Sequence, residues 1–432
     1  MEQSTIAAIA TGPAAGGVGI IRLSGPAALE AARRVVPALP ASPVARHAYF
    51  ARIGELDEGV VVFFAAPHSY TGEDVVELMP HGSPRLLSLL LGRLLEHPGV
   101  RLAEPGEFTR RAFLSGRIDL ARAEAVADLV AAQSEAAVRS AAAQLSGELS
   151  RRIDALKARL VPLHADLEAA LDFPEEAEGA EEGAAERLDA VLGELQGLAA
   201  QGAAGALARR GAHVVLFGPV NAGKSTLFNA LVGAPRALVD ADPGTTRDVL
   251  EAVVELHGLA VTFVDTAGLR EGAGRVEAMG IERTKAALRG ADLALLVVPP
   301  DAAAAEVEPW RREAGAAEVL LVAAKSDLGR RAEGLAVSAL SGAGVDALRA
   351  EVARRLGADR MQAVALASER HRDAVRRALE ALGRARAAVD SSTLEVVAGE
   401  TGLALAALDE IVGADARTEL LDAIFKRFCI GK

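Results

Sequence analysis

The stretch Gly218-Pro-Val-Asn-Ala-Gly-Lys-Ser-Thr226, followed downstream by Asp265-Thr-Ala-Gly268, decides the fold of this 432-residue chain. The first run has the G-x-x-x-x-G-K-S spacing of a phosphate-binding loop. It follows an apolar run at 213–217 that reads as a strand, and it opens 225–232, which reads as a helix. Glycines let the backbone curl until several N–H groups point at phosphate oxygens, and the helix N-terminus adds a positive dipole end. Asn221, Ala222, Gly223, Lys224, Ser225 and Thr226 then surround the phosphates. Lys224 bridges the terminal phosphates, and the Ser225 hydroxyl is a Mg²⁺ ligand. A lone loop of this kind can match by chance. The second motif, closing another strand candidate at 259–264, argues against chance.

Composition sets the frame. At 51% hydrophobic and 25% charged residues the chain can build real cores, and its length predicts several domains. Aromatics are only 3%, and the abundant alanine favours helices. A net charge of −12 argues against non-specific wrapping of nucleic acid but allows a local basic patch. The single cysteine, Cys429, excludes an intramolecular disulfide framework, fits a reducing cytosol and by default reads as buried apolar filler. No basic segment followed by an apolar core marks a signal peptide, and the run 86–95 is too short to span a bilayer, so a cytoplasmic protein without membrane contact is expected.

Along the chain, residues 1–118 are mixed, with strand candidates at 5–10, 18–23, 60–64 and 74–78 and a helix at 84–95. Residues 119–210 read as helical. Pro162 predicts a kink or a restart of one helix, and 175–186 reads as an acidic, solvated connector. Residues 211–364 alternate strand and helix, with strands at 214–217, 253–256, 259–264, 294–298, 319–323 and 335–337. That is a doubly wound α/β domain of small-GTPase size. Residues 365–432 return to helix. The expected architecture is α/β plus all-α, with the α/β domain inserted into a helical one.

The α/β segment carries further nucleotide signals. Thr245 and Thr246 sit in a loop, Gly244-Thr-Thr-Arg-Asp248, where Thr246 can ligate Mg²⁺ and sense the γ-phosphate. Asp265 approaches Mg²⁺ through water, Thr266 and Ala267 continue that loop, and Gly268 offers an N–H to the γ-phosphate. Loss of the γ-phosphate would free both loops and make a switch. Asp327 can accept from guanine N1–H and the 2-amino group, neither of which adenine presents in that arrangement, and Lys325 stands beside it. The usual run at this site is Asn-Lys-x-Asp; here Ala324 replaces the asparagine that normally reads N7 and braces the phosphate loop. The loss is worth about 1 kcal/mol. Ser338-Ala-Leu340 fits the last base-contacting loop, through backbone N–H groups of Ser338, Ala339 and Leu340. Leu269 stands where Ras-like enzymes place a water-orienting glutamine, so another group is required. Glu271 and Glu277 both lie downstream, and the residues themselves do not choose between them.

Long motifs outside the α/β segment complete the pattern: Ile6-Ala-Ala-Ile-Ala-Thr11, Gly16-Gly-Val-Gly-Ile-Ile-Arg-Leu-Ser-Gly25, Tyr70-Thr-Gly-Glu-Asp-Val-Val-Glu-Leu78, Pro105-Gly-Glu-Phe-Thr-Arg-Arg-Ala-Phe-Leu114, Glu124-Ala-Val-Ala-Asp-Leu129, Leu171-Asp-Phe-Pro-Glu175 and Phe428-Cys-Ile-Gly-Lys432. With these the chain resembles, over essentially its whole length, the MnmE (TrmE) family of tRNA modification GTPases, TrmE-Era-like proteins.

The resemblance implies a folate-binding-like α+β N-terminal domain at 1–118, which makes a constitutive homodimer. A helical domain follows at 119–210 and 365–432, with an inserted Ras-like GTPase domain at 211–364. It implies hydrolysis of GTP when two GTPase domains meet, with K⁺ held by Asn221 and by oxygens of the 240–245 loop, Asp240, Asp242 and Thr245. It selects Glu277, in Val276-Glu-Ala-Met-Gly-Ile281, as the water-orienting group beside Lys224 and Thr246. It places a tetrahydrofolate derivative (5-formyl or methylene) on Arg22, Glu77, Arg117 and Lys432, four residues that otherwise read as surface charges. Cys429 then reaches the one-carbon site. The implied partners are tRNA and an FAD- and NADH-dependent flavoprotein of the MnmG (GidA) type, in a heterotetramer or larger complex. Together they place (carboxymethyl)aminomethyl groups on the wobble uridine. The chain departs from the family at Ala324, at Ser83 where glycine is usual, and at Arg117 where lysine is frequent. A regulatory switch GTPase of ribosome assembly is the competing reading; the absence of a basic run or aromatic ladder disfavours it. A membrane-remodelling GTPase would want an amphipathic insertion segment, and none is evident.

Overall fold

The computed structural model describes residues 4–173, 183–233, 237–238, 250–266, 282, 284–329, 332–358, 366–389, 394–414 and 417–432. The chain divides into two compact units, Met1–Ala127 with Leu408–Lys432, and Asp128–Ala407.

The first unit is built on a six-stranded sheet of order β3-β4-β5-β2-β1-β6. Its strands are β1 (Thr5–Ile9), β2 (Ile21–Ser24), β3 (Ala48–Ile53), β4 (Asp57–Phe64), β5 (Val75–Met79) and β6 (Val100–Leu102). Only the β1–β6 pair is parallel. Period-two patterning decides which side chains go inward. In β4, Gly59, Val61 and Phe63 are buried while Val60, Val62 and Phe64 stay half-buried. The inward face packs on α1 (Ala28–Val35) and α2 (Pro84–Leu95), joining Ile21, Leu23, Ile53, Val61, Val76 and Leu78 to Leu87, Leu90 and Leu94. Ser83, one of the departures from the family, caps α2: its hydroxyl accepts from Leu86 N, and Pro84 starts the helix. On the opposite face Ile6, Ala8 and Ala103 meet Phe108 of α3 (Glu107–Leu114).

The chain end belongs to this unit. The C-terminal helix Thr418–Phe425 and Phe428 pack on Leu120 and Ala123, at the start of α4 (Leu120–Ala131). Gly106, at φ +69°, lets α3 begin against the Phe425 carbonyl, where a side chain would collide.

The second unit holds a seven-stranded sheet of order β13-β12-β11-β7-β10-β9-β8. It comprises β7 (Ala212–Phe217), β8 (Ala237–Leu238), β9 (Leu250–Leu256), β10 (Leu259–Asp265), β11 (Leu293–Val298), β12 (Val319–Ala323) and β13 (Leu335–Ala336). From β13 through β10 neighbours run parallel; β9 and β8 add antiparallel pairs at one edge. β11 is buried throughout, as a parallel strand covered on both faces must be. α9 (Lys224–Val232) and α11 (Val345–Arg355) pack on one face, and α10 (Ala304–Glu313) with Leu288 on the other.

Helices from both sides of this sheet in the sequence pack together: α5 (Glu135–Leu145), α6 (Glu148–Asp172), α7 (Ala184–Ala200) and α8 (Gly202–Arg210) before it, α12 (Glu369–Val389) after it. Glu400 of α13 (Leu394–Val412) accepts from Arg384 of α12 at 2.7 Å, and Gly402 lies beside His164 of α6. Gln144 meets buried His371 at 3.1 Å, and Arg386 pairs with Asp189 at 3.0 Å. Pro162 does not restart a helix. It lies inside α6 on the exposed side, where the carbonyl of exposed Ala158, which it cannot bond, can take water. The inward stripe Ile153, Leu156, Leu160, Leu163 and Leu167 holds the helix through it. Most of the acidic connector lies outside the described residues. No helix among the described residues is long and apolar enough to cross a membrane.

Candidate nucleotide site and the N-terminal charge pair

The winding of the parallel sheet turns at β7, whose neighbours are β10 on one side and β11 on the other. A crevice forms outside the carboxyl ends of strands at such a point. The phosphate-loop motif lies there. Gly218, at φ +136°, brings the backbone so close to the Val297 carbonyl that only glycine fits. Asn221 (φ +63°) and Gly223 (φ +100°) complete the curl, and Gly223 caps α9. Lys224 is 95% buried and folds back over the loop, donating to Gly218 O at 3.1 Å and Pro219 O at 2.8 Å. Ser225 and Thr226 stand exposed in the first helical turn.

β10 is parallel to β7 with Asp265 opposite Leu216, so the carboxylate arrives at the level of the loop, fully buried. Thr266 ties the strand end down: its hydroxyl donates to Leu216 O at 2.8 Å. On the other side of β7, β12 delivers Ala324, Lys325 and Asp327. Lys325 adopts φ +54° and its ammonium donates to Asn221 O at 2.8 Å, so the base-side loop holds the phosphate loop directly. Asp327 sits in the short 3-10 turn Ser326–Leu328. A hydrogen bond from the Ser338 side chain, then one from its own backbone N–H, hold its carboxyl below the usual range. β13, parallel to β12, is what carries Ser338 there.

Sequence reasoning used only the backbone of 338; the buried hydroxyl is the contribution it missed, and nothing local in Ser338-Ala-Leu340 announces it. Leu340 is exposed and Ala339 half-buried. Asp240, Asp242, Thr245, Thr246, Ala267, Gly268, Glu271 and Glu277 lie outside the described residues.

In the first unit Ala8, Arg22, Glu77 and Val62 stand side by side across β1, β2, β5 and β4. Arg22 Nε donates to Glu77 Oε1 at 2.7 Å, NH1 donates to Gly431 O at 3.1 Å, and the guanidinium lies over the Phe108 ring, 5.7 Å from its centroid. The chain end is thus drawn to the pair. Cys429 O accepts from Gly106 N and from Lys432 N. Cys429 itself is exposed, which corrects its default reading as buried filler: its carbonyl is engaged by the tail's turn, but no core closes over the thiol. Arg117 lies past the far end of α3, beside Gly72, which lines a cavity of about 560 Å³. In that cavity Arg111 bonds both Glu73 oxygens, at 3.2 and 3.0 Å, and Glu107 at 2.9 Å.

Comparison with known proteins bears on both sites. The model of the MnmE helical domain matches residues 120–429, and that of the GTP-binding protein TrmE N-terminus matches residues 5–117. The tRNA modification GTPase MnmE of Myxococcus xanthus (strain DK1622) is 61% identical over 439 residues, covering 100% of this chain and 99% of the relative.

The chain belongs to the MnmE family of tRNA modification GTPases.

The MnmE proteins of Bordetella parapertussis (strain 12822) and Azoarcus sp. (strain BH72) are each 45% identical over 99% of this chain, covering 99% and 98% of their own lengths. Among solved structures, a single-residue variant of Aquifex aeolicus Era bound to GDP·AlF4⁻ is 24% identical over 33% of this chain and 56% of its own, with a TM-score of 0.28. As a member of the MnmE family, the chain brings to its nucleotide crevice the described phosphate-loop residues, Asp265, Thr266, Lys325, Asp327 and Ser338. It gathers Arg22, Glu77 and the 429–432 tail into one group, and it sets Arg117 beside Gly72 instead.

Proposed function

We propose that this chain hydrolyses GTP and couples that hydrolysis, as a homodimer, to modification of tRNA. One observation carries the reading: at the ends of β7, β10, β12 and β13, a curled phosphate loop with its lysine meets a carboxylate edge that matches guanine. Asp327, kept ionised by Ser338, accepts from N1–H and the 2-amino group of the base. The loop N–H groups and Lys224 neutralise the phosphates. Ser225, Thr246 and Asp265 would supply the hard oxygens that suit Mg²⁺. Asn221 with Asp240, Asp242 and Thr245 would hold K⁺, which supplies the charge that an arginine finger supplies in other GTPases. Glu277 would orient the attacking water, so Glu277→Ala should strongly reduce turnover while leaving nucleotide affinity nearly unchanged.

In the folate-binding-like first unit, the Arg22–Glu77 pair with Lys432, and Arg117 beside the cavity, would hold a tetrahydrofolate: carboxylate to the pterin donors, cations to its glutamate tail. The sheet face bearing Glu77 supports the homodimer. Val60, Val62, Phe64 and Met79 on it are half-buried, and Phe50 is 72% exposed, more apolar surface than a free sheet face usually leaves to water. The flavoprotein partner supplies FAD and NADH chemistry, and the wobble uridine of tRNA is the acceptor.

GTP turnover in KCl against NaCl, with mass spectrometry of wobble nucleosides from cells lacking the chain, tests the reading. K⁺-stimulated turnover and loss of the modified uridine are expected. Equal turnover in Na⁺ overturns the ion's role, and unchanged nucleosides overturn the coupling to tRNA.

A further inference from the structure

Position 324 is where this nucleotide crevice departs from Asn-Lys-x-Asp. Ala324 follows β12, and its N–H donates to Val298 O at 2.9 Å. Its side chain is 95% buried and lies 3.8 Å from where a Cβ on Gly223 would stand. It therefore faces the phosphate loop and presents only carbon there. The bracing of that loop does not depend on it, because Lys325 already holds Asn221 O at 2.8 Å.

The chemistry of the base gives this methyl group a consequence. Guanine carries its donors, N1–H and the 2-amino group, on one edge, and the N7 acceptor on the other side of the ring. A guanine nucleotide has its donor edge fixed on Asp327 and its phosphates fixed at Lys224. The planar ring can then turn no further. The position before Lys325, where the usual Asn-Lys-x-Asp run carries the asparagine that reads N7, is the one that lies against the phosphate loop here. An N7 acceptor needs an N–H or O–H there. The Ala324 side chain has none, and its backbone N–H is spent on Val298. Lys325 turns its ammonium to the Asn221 carbonyl, at 2.8 Å.

We infer that this site is blind to N7. It selects guanine through the donor edge alone and accepts guanine nucleotides that lack the N7 acceptor as well as it accepts the natural ones. The inference rests on the guanine-nucleotide reading above and adds to it the way in which the base is read.

The test is calorimetry of the full-length chain with GDP and with 7-deaza-GDP, which replaces N7 by C–H and leaves the donor edge intact. Dissociation constants within about threefold of each other are expected, since a neutral hydrogen bond to N7 would be worth about fivefold. A larger loss on removing N7 overturns the inference, and this comparison needs no variant. Ala324→Asn should restore discrimination, raising the 7-deaza-GDP to GDP ratio to about fivefold. A ratio that stays near one shows that position 324 does not face N7, and the inference falls. Absence of any GDP binding would sink the nucleotide reading itself; saturable GDP binding with 7-deaza-GDP rejected sinks only the present inference.

Discussion

At the scale of single residues, Asp327, the carboxylate proposed to face guanine, shows how much work a neighbour does. Asp327 is exposed, yet its carboxyl is held below its ordinary range, first by the Ser338 side chain, then by a backbone N–H, with Lys325 adding attraction. A depressed carboxylate pKa fixes the sign: what depends on the charge is present at neutral pH and is lost only as the pH falls through the folded value. The share of GDP affinity that Asp327 supplies, read as the ratio of wild-type to Asp327→Asn affinity so that the ligand's own phosphate titration cancels, should therefore stay flat from about pH 8 to about pH 5. A decline beginning above pH 5 would show a carboxyl that is not held down. Ser338→Ala removes the leading cause. Guanine-nucleotide binding should weaken by about fivefold, with no gain in ATP binding, because Asp327 keeps its acceptors but loses its orientation. Isothermal titration at pH 7 checks it. None of this was legible in Ser338-Ala-Leu340. It depends on β13 lying parallel to β12, a pairing that local sequence does not encode.

At the scale of elements, the long apolar strands and the short edge strand β13 were legible, and the other edge strands were not. β10, β11 and β12 show in the sequence as continuous apolar runs, because parallel strands are buried on both faces. β8 has two residues, β6 three, and β3 is a largely exposed edge strand, so none makes a run that stands out from a loop. Polar ties between elements are equally silent in sequence. Asp292, just before β11, receives Arg210 of α8 at 2.8 Å and His213 N of β7 at 2.9 Å. Burial alone would raise its pKa; the Arg210 guanidinium and the His213 N–H outweigh it and the carboxyl lies low. Asp292 thus fastens the start of the parallel sheet to the helix that leads into it. Asp292→Ala should cost about 1–2 kcal/mol in urea unfolding at pH 7, after discounting for the exposed half of the arginine. Because the folded pKa is depressed, the difference between wild type and variant should vanish as the pH falls through that value. A variant as stable as wild type at pH 7 would show that the pair is screened to nothing.

At the scale of the whole molecule, the residues proposed for the nucleotide and those proposed for the folate lie in separate units, and the two proposals can be tested apart. The charge pair in the first unit joins residues 55 positions apart, and Arg22 also reaches a carbonyl 409 positions away, contacts that no local pattern contains. Family motifs marked the residues; only the fold shows that Gly431 closes on β1 so tightly that a side chain there would strike the Ile9 carbonyl, which holds Lys432 near the pair. If a tetrahydrofolate lies on this group, 5-formyl-tetrahydrofolate should bind the full-length protein without nucleotide. Glu77→Ala should weaken that binding most, by about tenfold or more, since it removes the acceptor for the ligand and leaves Arg22 without its carboxylate. Arg22→Ala and removal of Lys432 should each cost less, as partly solvated charges do. All three changes should spare GTP hydrolysis, whose residues lie in the other unit, and should impair tRNA modification. Calorimetry for the folate and a phosphate-release assay for turnover separate the two readouts. Loss of GTP hydrolysis in Glu77→Ala would break the separation, and absence of saturable folate binding to wild type would remove the folate from the account while leaving the GTPase intact.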